Sequence, residues 1–123
     1  MEQVLVVEDQ ENLRELYKAI LEKAGYEVLT ARDDINAFDL FFEHQPRVVI
    51  MDLNLGLHSL PGNEICKQLI TLEPKTQVIC VSGNFEMFKP DYGLQNGFSA
   101  VIAKPVATTE LLRVVKESFD VEP

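Results

Sequence analysis

The chain has 123 residues, 46% of them hydrophobic and 25% charged, a composition that suits one globular domain able to bury a core without staples. Eleven basic against twenty acidic residues give a net charge of −9 with no Lys/Arg cluster, which argues against direct binding to nucleic acid or to an anionic membrane. The apolar runs are too short to span a bilayer and residues 1–7 lack the basic start of a signal peptide, so a cytoplasmic location is the default expectation.

In chain order, residues 3–7 read as a strand that stops at the acidic pair Glu8-Asp9. Leu13, Leu16, Tyr17, Ile20 and Leu21 then recur at helical spacing, and Ala24-Gly25 ends the segment. Residues 27–31 form the second predicted strand. Asp33-Asp34 caps a helix that carries Ala37, Phe38, Phe41 and Phe42 and is closed by Pro46. The third strand, ending in Met51-Asp52, is apolar enough to be buried on both faces. An unpaired carboxylate cannot sit in such a core, so Asp52 is expected just beyond the strand end. A loop follows, then a helix over about 62–72 with Ile65, Leu69 and Leu72 on one face. Residues 77–81 form the fourth strand, ending at Ser82-Gly83-Asn84. Pro90 interrupts the next stretch, where a short, kinked or late-starting helix ending at Gly97 is expected. Residues 100–103 form the fifth strand, which stops at Lys104-Pro105. A last helix starts at Thr108 or Thr109, with Leu111, Leu112, Val115 and Phe119 inward. Cys66 and Cys80 stand in apolar runs and read as buried thiols, not as a disulfide or metal pair.

Five strands alternating with five helices make an α/β protein whose parallel sheet is covered by helices on both faces. In such a sheet the carboxyl ends of the strands share one edge, where ligands bind. Glu8, Asp9, Asp52, Ser82 and Lys104 all stand at those ends. Three converging carboxylates repel one another, so either their pKa values rise or a cation sits among them. Oxygen donors without a His/Cys cluster favour Mg²⁺ over zinc, and Mg²⁺ completes its shell with water or a phosphate. The edge is therefore expected to be a phosphoryl site. Each residue alone has a plainer use: the carboxylates as helix caps or turn formers, Ser82 as a turn hydroxyl, Lys104 as a solvated strand end.

Together, Val4-Leu5-Val6-Val7-Glu8-Asp9, Met51-Asp52-Leu53, Val81-Ser82-Gly83 and Ala103-Lys104-Pro105 resemble the receiver domain of two-component response regulators, of the chemotaxis-regulator kind. Asp9, Asp52, Ser82 and Lys104 follow one another at receiver-like separations of 43, 30 and 22 residues. The likeness covers essentially the whole chain, so residues 1–123 are expected to be a single receiver domain. It implies a doubly wound, flavodoxin-like (βα)5 fold with a five-stranded parallel sheet in the order 2-1-3-4-5.

It also implies that Asp52 accepts a phosphoryl group from a sensor histidine kinase or a phosphotransfer protein. Glu8, Asp9, Asp52 and the main-chain carbonyl of Asn54 would hold Mg²⁺. Lys104 would pair with one phosphoryl oxygen and the Ser82 hydroxyl would donate to another. Pro105 would follow a cis peptide bond that aims Lys104 into the site. The protein would be a switch and not an enzyme, beyond its own phosphorylation and dephosphorylation. No output region follows up to Pro123, so output would pass to a downstream protein or to a domain outside these residues. The face of the fourth helix, fifth strand and fifth helix would carry the change and could also form a homodimer.

The chain departs from the family in places. Val101 stands three residues before Lys104, where receivers commonly carry Tyr or Phe, which puts the usual aromatic switch in question. Ser82 replaces the commoner Thr. Gly56 replaces a common Pro, and the loop 55–62 is about two residues longer than usual, which predicts a more mobile loop. His58 in that loop could touch a partner or the phosphoryl group, although a loop histidine is more often simply exposed; His44 reads as helix-end surface. Phe85, Phe88, Tyr92 and Phe98 surround the fourth helix, as core or as an unusual output face. A second reading is therefore a receiver-like adaptor that ignores phosphorylation. A third, a small phosphatase with an aspartate nucleophile, is weakened because its second Asp would fall at Asn54 and the chain is short for a cap domain.

Overall fold

Apolar residues at consecutive positions of a strand need cover on both faces of the sheet, and the helices provide it. The computed structural model describes residues 1–83, 89 and 91–122, with the backbone alone at residue 94. In order the elements are β1 (Gln3–Val7), α1 (Glu11–Lys23), β2 (Glu27–Ala31), α2 (Asp34–His44), β3 (Val48–Asp52), α3 (Gly62–Leu72), β4 (Gln77–Ser82), α4 (Tyr92–Asn96), β5 (Ala100–Ala103) and α5 (Thr108–Phe119). All strand pairs are parallel and the order is β2-β1-β3-β4-β5, the doubly wound order that the resemblance implies.

Strand periodicity divides the core in two. Leu5, Val7, Val49, Met51, Val78 and Cys80 face α2, α3 and the region of α4, where they meet Ala37, Phe41, Ile65, Cys66 and Leu69. Val4, Val6, Val48, Ile50, Ile79 and Val81 face the other way, onto Tyr17 and Leu21 of α1 and Leu111, Val114 and Val115 of α5. Each such side chain, fully buried, contributes about 1.5–3 kcal/mol. Cys66 and Cys80 are buried free thiols, and burial pushes both pKa values up to about 12, which leaves them protonated and inert.

The helices have narrower inner faces than the sequence suggests. Leu16, Phe42 and Leu72 are largely exposed, because a helix on a sheet buries only the stripe that points at it. Phe41 is buried and Phe42, about 100° further round, is not. In α5 Val114 joins the core, while Leu112 and Phe119 pack only at its edge. Asp33 caps α2 as expected, accepting the Asn36 N–H at 2.9 Å. Helix α4 starts late and ends at Gly97, whose φ of 81° suits the left-handed turn there. Asn84, Phe85, Phe88 and Pro90 lie outside the described residues.

Asp52 is not beyond β3 but its last residue, paired in register with Val81 and 6% exposed. The backbone behind it is held by Gly62, the first residue of α3, whose N–H donates to the Leu53 carbonyl at 2.9 Å. A Cβ at Gly62 would collide with the Asp52 carbonyl and the Met51 side chain. Gly62→Ala is accordingly expected to lower stability by about 1–3 kcal/mol, the usual cost of overpacking. A urea or thermal unfolding curve measures it, and an unchanged midpoint would mean that the β3–α3 junction yields freely.

Candidate functional site

Register brings the predicted polar residues together. Val7 lies opposite Met51, so Glu8, one residue past β1, comes level with Asp52. Its N–H still bonds the Ala31 carbonyl at 3.0 Å, which extends the sheet edge by one residue. Ser82 lies opposite Ala103, and the Lys104 N–H donates to the Ser82 carbonyl at 3.0 Å. The peptide bond between Lys104 and Pro105 is cis.

The side chains converge as the backbone does. The Lys104 ammonium donates to Glu8 Oε1 at 2.9 Å and lies 3.3 Å from Asp52 Oδ2. Glu8 is 1% exposed and Ser82 7% exposed, whereas Asp9 is on the surface. Glu8, Asp9 and Asp52 each offer a carboxylate oxygen within 4.8 Å of the others. A cleft of about 700 Å³ opens over them, lined by Asp9, Asp52, Asn54, Ser82, Tyr92 and Lys104 among others. His58 is exposed and is not among the residues lining the cleft, and His44 is likewise on the surface. Val101 is half-buried and packs against the core on the α2–α4 side.

Three carboxylates against one ammonium leave the site electronegative. Burial raises the Glu8 pKa, and the neighbouring Asp52 raises it further, against the opposing effect of Lys104. Asp9 is also raised, by partial burial and then by Glu8. For Lys104 burial alone would lower the pKa, but the hydrogen bond to Glu8 and the charges of Asp52 and Glu8 outweigh it, so the net shift is upward and the ammonium persists. An all-oxygen donor set with surplus negative charge, open to solvent on one side, fits a hard divalent cation that keeps some of its waters.

Sequence reasoning missed three supports of this site. Arg14 of α1 reaches back and donates from Nη1 to the Glu8 and Asp9 carbonyls at 2.8 and 3.3 Å, which pins the turn after β1. Gly62 lets α3 begin against the Asp52 backbone. The loop after β3, expected to be mobile, is tied to α2 through Asp34: the Leu60 N–H donates to Asp34 Oδ2 and the Asp34 N–H donates to Ser59 Oγ, both at 3.0 Å. Only Gly62, a glycine directly after a proline at a helix start, left a local signal.

A raised carboxyl pKa has a definite consequence for stability. The folded protein holds the Glu8 proton more tightly than the unfolded chain, so the stability from this group is complete below the ordinary value of 4.5 and is lost as pH rises through the folded pKa. In metal-free buffer Glu8→Gln is expected to unfold at a higher temperature than the parent at neutral pH, with the difference shrinking as pH falls towards 4.5. Thermal melts across that range decide it; a lower melting temperature at neutral pH would mean that the ion pair with Lys104 outweighs the burial cost.

Comparison with known proteins agrees with this geometry. Residues 4–116 match the family described as the response regulator receiver domain. Over 119 residues the chain is 30% identical to the transcriptional regulatory protein YxdJ of Bacillus subtilis, covering 97% of this chain and 51% of that protein. The chain thus spans about half the length of this curated relative. Among solved structures, the receiver domain of NtrX from Brucella abortus superposes with a TM-score of 0.90 at 26% identity, covering 97% of this chain and 99% of that one. A CheY-like response regulator receiver domain protein from Methanospirillum hungatei gives 0.88 at 28% identity, covering 98% and 94%. Among the described residues no helix is long and apolar enough to cross a membrane.

Proposed function

This chain belongs to the response regulator receiver family, and on that premise we propose that residues 1–123 act as a single phosphoryl-accepting switch with Asp52 as the acceptor. The observation that carries the reading is the placement of one ammonium, from Lys104, between Glu8 and Asp52 at the floor of an open acidic cleft. A carboxylate oxygen of Asp52 attacks the phosphorus of a phosphohistidine on a sensor kinase or phosphotransfer protein. The P–O bond forms as the P–N bond breaks, and the electron pair leaves on the imidazole, which takes up a proton.

The residues around Asp52 position and neutralise. Lys104 exchanges part of its pairing with the carboxylates for a phosphoryl oxygen, and the Ser82 hydroxyl donates to another. Glu8, Asp9, Asp52 and the main-chain carbonyl of Asn54 are the residues that would hold Mg²⁺. When bound, Mg²⁺ supplies charge neutralisation across the carboxylates and the incoming phosphoryl oxygens. The modified Asp52 then biases two arrangements of the α4, β5 and α5 face, and that face signals to a downstream protein, to an output domain outside these residues or to a second copy of the chain. A transcriptional output fits the name of the Bacillus relative. This chemistry is suited to the cytoplasm, where histidine kinases present their phosphoryl groups. Its turnover is limited to the phosphorylation and dephosphorylation of its own carboxylate.

A second reading is favoured by one observation. Val101 occupies β5 where the family usually has an aromatic, and it lies half-buried against the α2–α4 side of the core. A receiver-like adaptor whose partner affinity ignores phosphorylation is consistent with that.

Acetyl phosphate with Mg²⁺ is expected to add the mass of one phosphoryl group to the parent and none to Asp52→Asn, as read by intact-protein mass spectrometry. Equal labelling of both proteins, or of neither, would overturn Asp52 as acceptor. Partner affinity that is the same with and without beryllofluoride would favour the adaptor.

A further inference from the structure

The loop of residues 53–61 carries Asn54 at its start and runs nine residues before α3 begins. Its two ends are closed by the Gly62 to Leu53 hydrogen bond, and Leu55 is buried in the core that Ala37 and Phe41 of α2 share. Asp52 Oδ1 accepts the Asn54 N–H at 3.4 Å, and Asn54 Oδ1 accepts the Gly56 N–H at 3.2 Å, so the proximal half of the loop is a short relay from the acceptor residue. Gly56, at φ 90°, turns the chain outward, and Leu57 is left 99% exposed. Beyond the buried Leu55, a stretch with a left-handed glycine and an extruded leucine would be free to swing unless its distal end were held.

The distal end is held by Asp34. Asp34, the first residue of α2, accepts the Leu60 N–H through Oδ2 and donates its own N–H to Ser59 Oγ, both at 3.0 Å. The Ser59 hydroxyl in turn donates to the Leu60 carbonyl at 2.9 Å, and Asp34 Oδ1 is steadied by the Ile35 N–H at 2.8 Å. This reciprocal pair joins positions 25 residues apart in sequence and belongs to neither the acidic cluster nor the cleft lining.

We propose that Asp34 is a positioning residue for the Asp52 site: through its clasp on Ser59 and Leu60 it fixes the loop that carries Asn54, sets the affinity for Mg²⁺, and couples the site to the start of α2. The inference rests on the proposed Mg²⁺ site. Its physical basis is that a metal ligand supplied by a loop costs binding energy in proportion to how much of that loop must be ordered on binding. A clasped loop has met that cost in advance. Coupling follows because the Asp34 N–H ends on the same loop, so a shift of the loop at the metal is felt at the first turn of α2.

The test is Mg²⁺ titration of the full chain by calorimetry, together with backbone amide NMR. Asp34→Ala is expected to weaken Mg²⁺ binding about tenfold, the lower end of what loss of a supporting hydrogen bond at a metal site produces. Asp34→Asn keeps an acceptor for the Leu60 N–H and should stay within about twofold of the parent. Asp39→Ala removes the same charge from the exposed side of α2 and should leave affinity unchanged. Ser59→Ala leaves the α2 sequence intact and is expected to give a smaller loss of affinity; it also abolishes the Mg²⁺-induced shift of the Asp34 amide that the parent should show. If Asp34→Ala does not fold, the Ser59→Ala titration and amide shifts carry the test. Parent-like affinity in Asp34→Ala and Ser59→Ala, with Mg²⁺ binding still dependent on Asp52, would overturn the clasp and leave the switch reading standing. A loss in Asp39→Ala equal to that in Asp34→Ala would assign the effect to charge and overturn it too. A parent chain that binds no Mg²⁺ would overturn both.

Discussion

The Lys104 ammonium, 2.9 Å from Glu8 and 3.3 Å from Asp52, holds the acidic edge of the sheet together. Two nearly buried carboxylates side by side at the end of a parallel sheet would carry a desolvation and repulsion cost that a domain of this size could ill absorb. One cation between them makes the arrangement tenable while leaving it short of positive charge. Burial first, and then the neighbouring Asp52, keep the Glu8 pKa raised in spite of Lys104, and the surplus of carboxylates is what prepares the cleft for further positive charge, whether a metal ion or a proton. Stability and reactivity at this edge are therefore one electrostatic problem seen from two sides.

The sheet makes that meeting unavoidable. Parallel strands in the order β2-β1-β3-β4-β5 put the carboxyl ends of β1, β3, β4 and β5 in one row, and the register then sets their heights. Glu8 and Asp52 share a level, and Ser82 and Lys104 follow. Lys104 spans from β5 to β1, across two strands, which only a long flexible side chain can do. The same sheet explains why Asp52 can remain within β3: its partner cation comes to it, so the chain has no need to carry the carboxylate out to water.

What was legible in the sequence was whatever repeats or runs. Strands showed as unbroken apolar runs because both faces are covered, and the four motifs at their ends were legible because their spacing follows strand and helix lengths. Helix faces were read less well. Leu16, Phe42 and Leu72 are apolar at helical spacing yet largely exposed, since periodicity tells which side of a helix is apolar but not how wide a strip the sheet can cover. The tie between Asp34 and Ser59 could not be read at all. A polar pair 25 residues apart has no period, and each partner alone looks like an ordinary cap or loop residue.

Element order, the parallel α/β class and the set of residues gathered at one edge are written along the chain, because apolar pattern and strand-end chemistry are local properties. Tertiary structure alone decided which carboxylates share Lys104, how deeply Asp52 lies, that Gly62 must be bare for α3 to meet the Asp52 backbone, and that the long loop is anchored on α2. Those are distances between residues far apart in the chain. They depend on register, strand stagger and the seating of helices, which are settled only when all the elements pack at once.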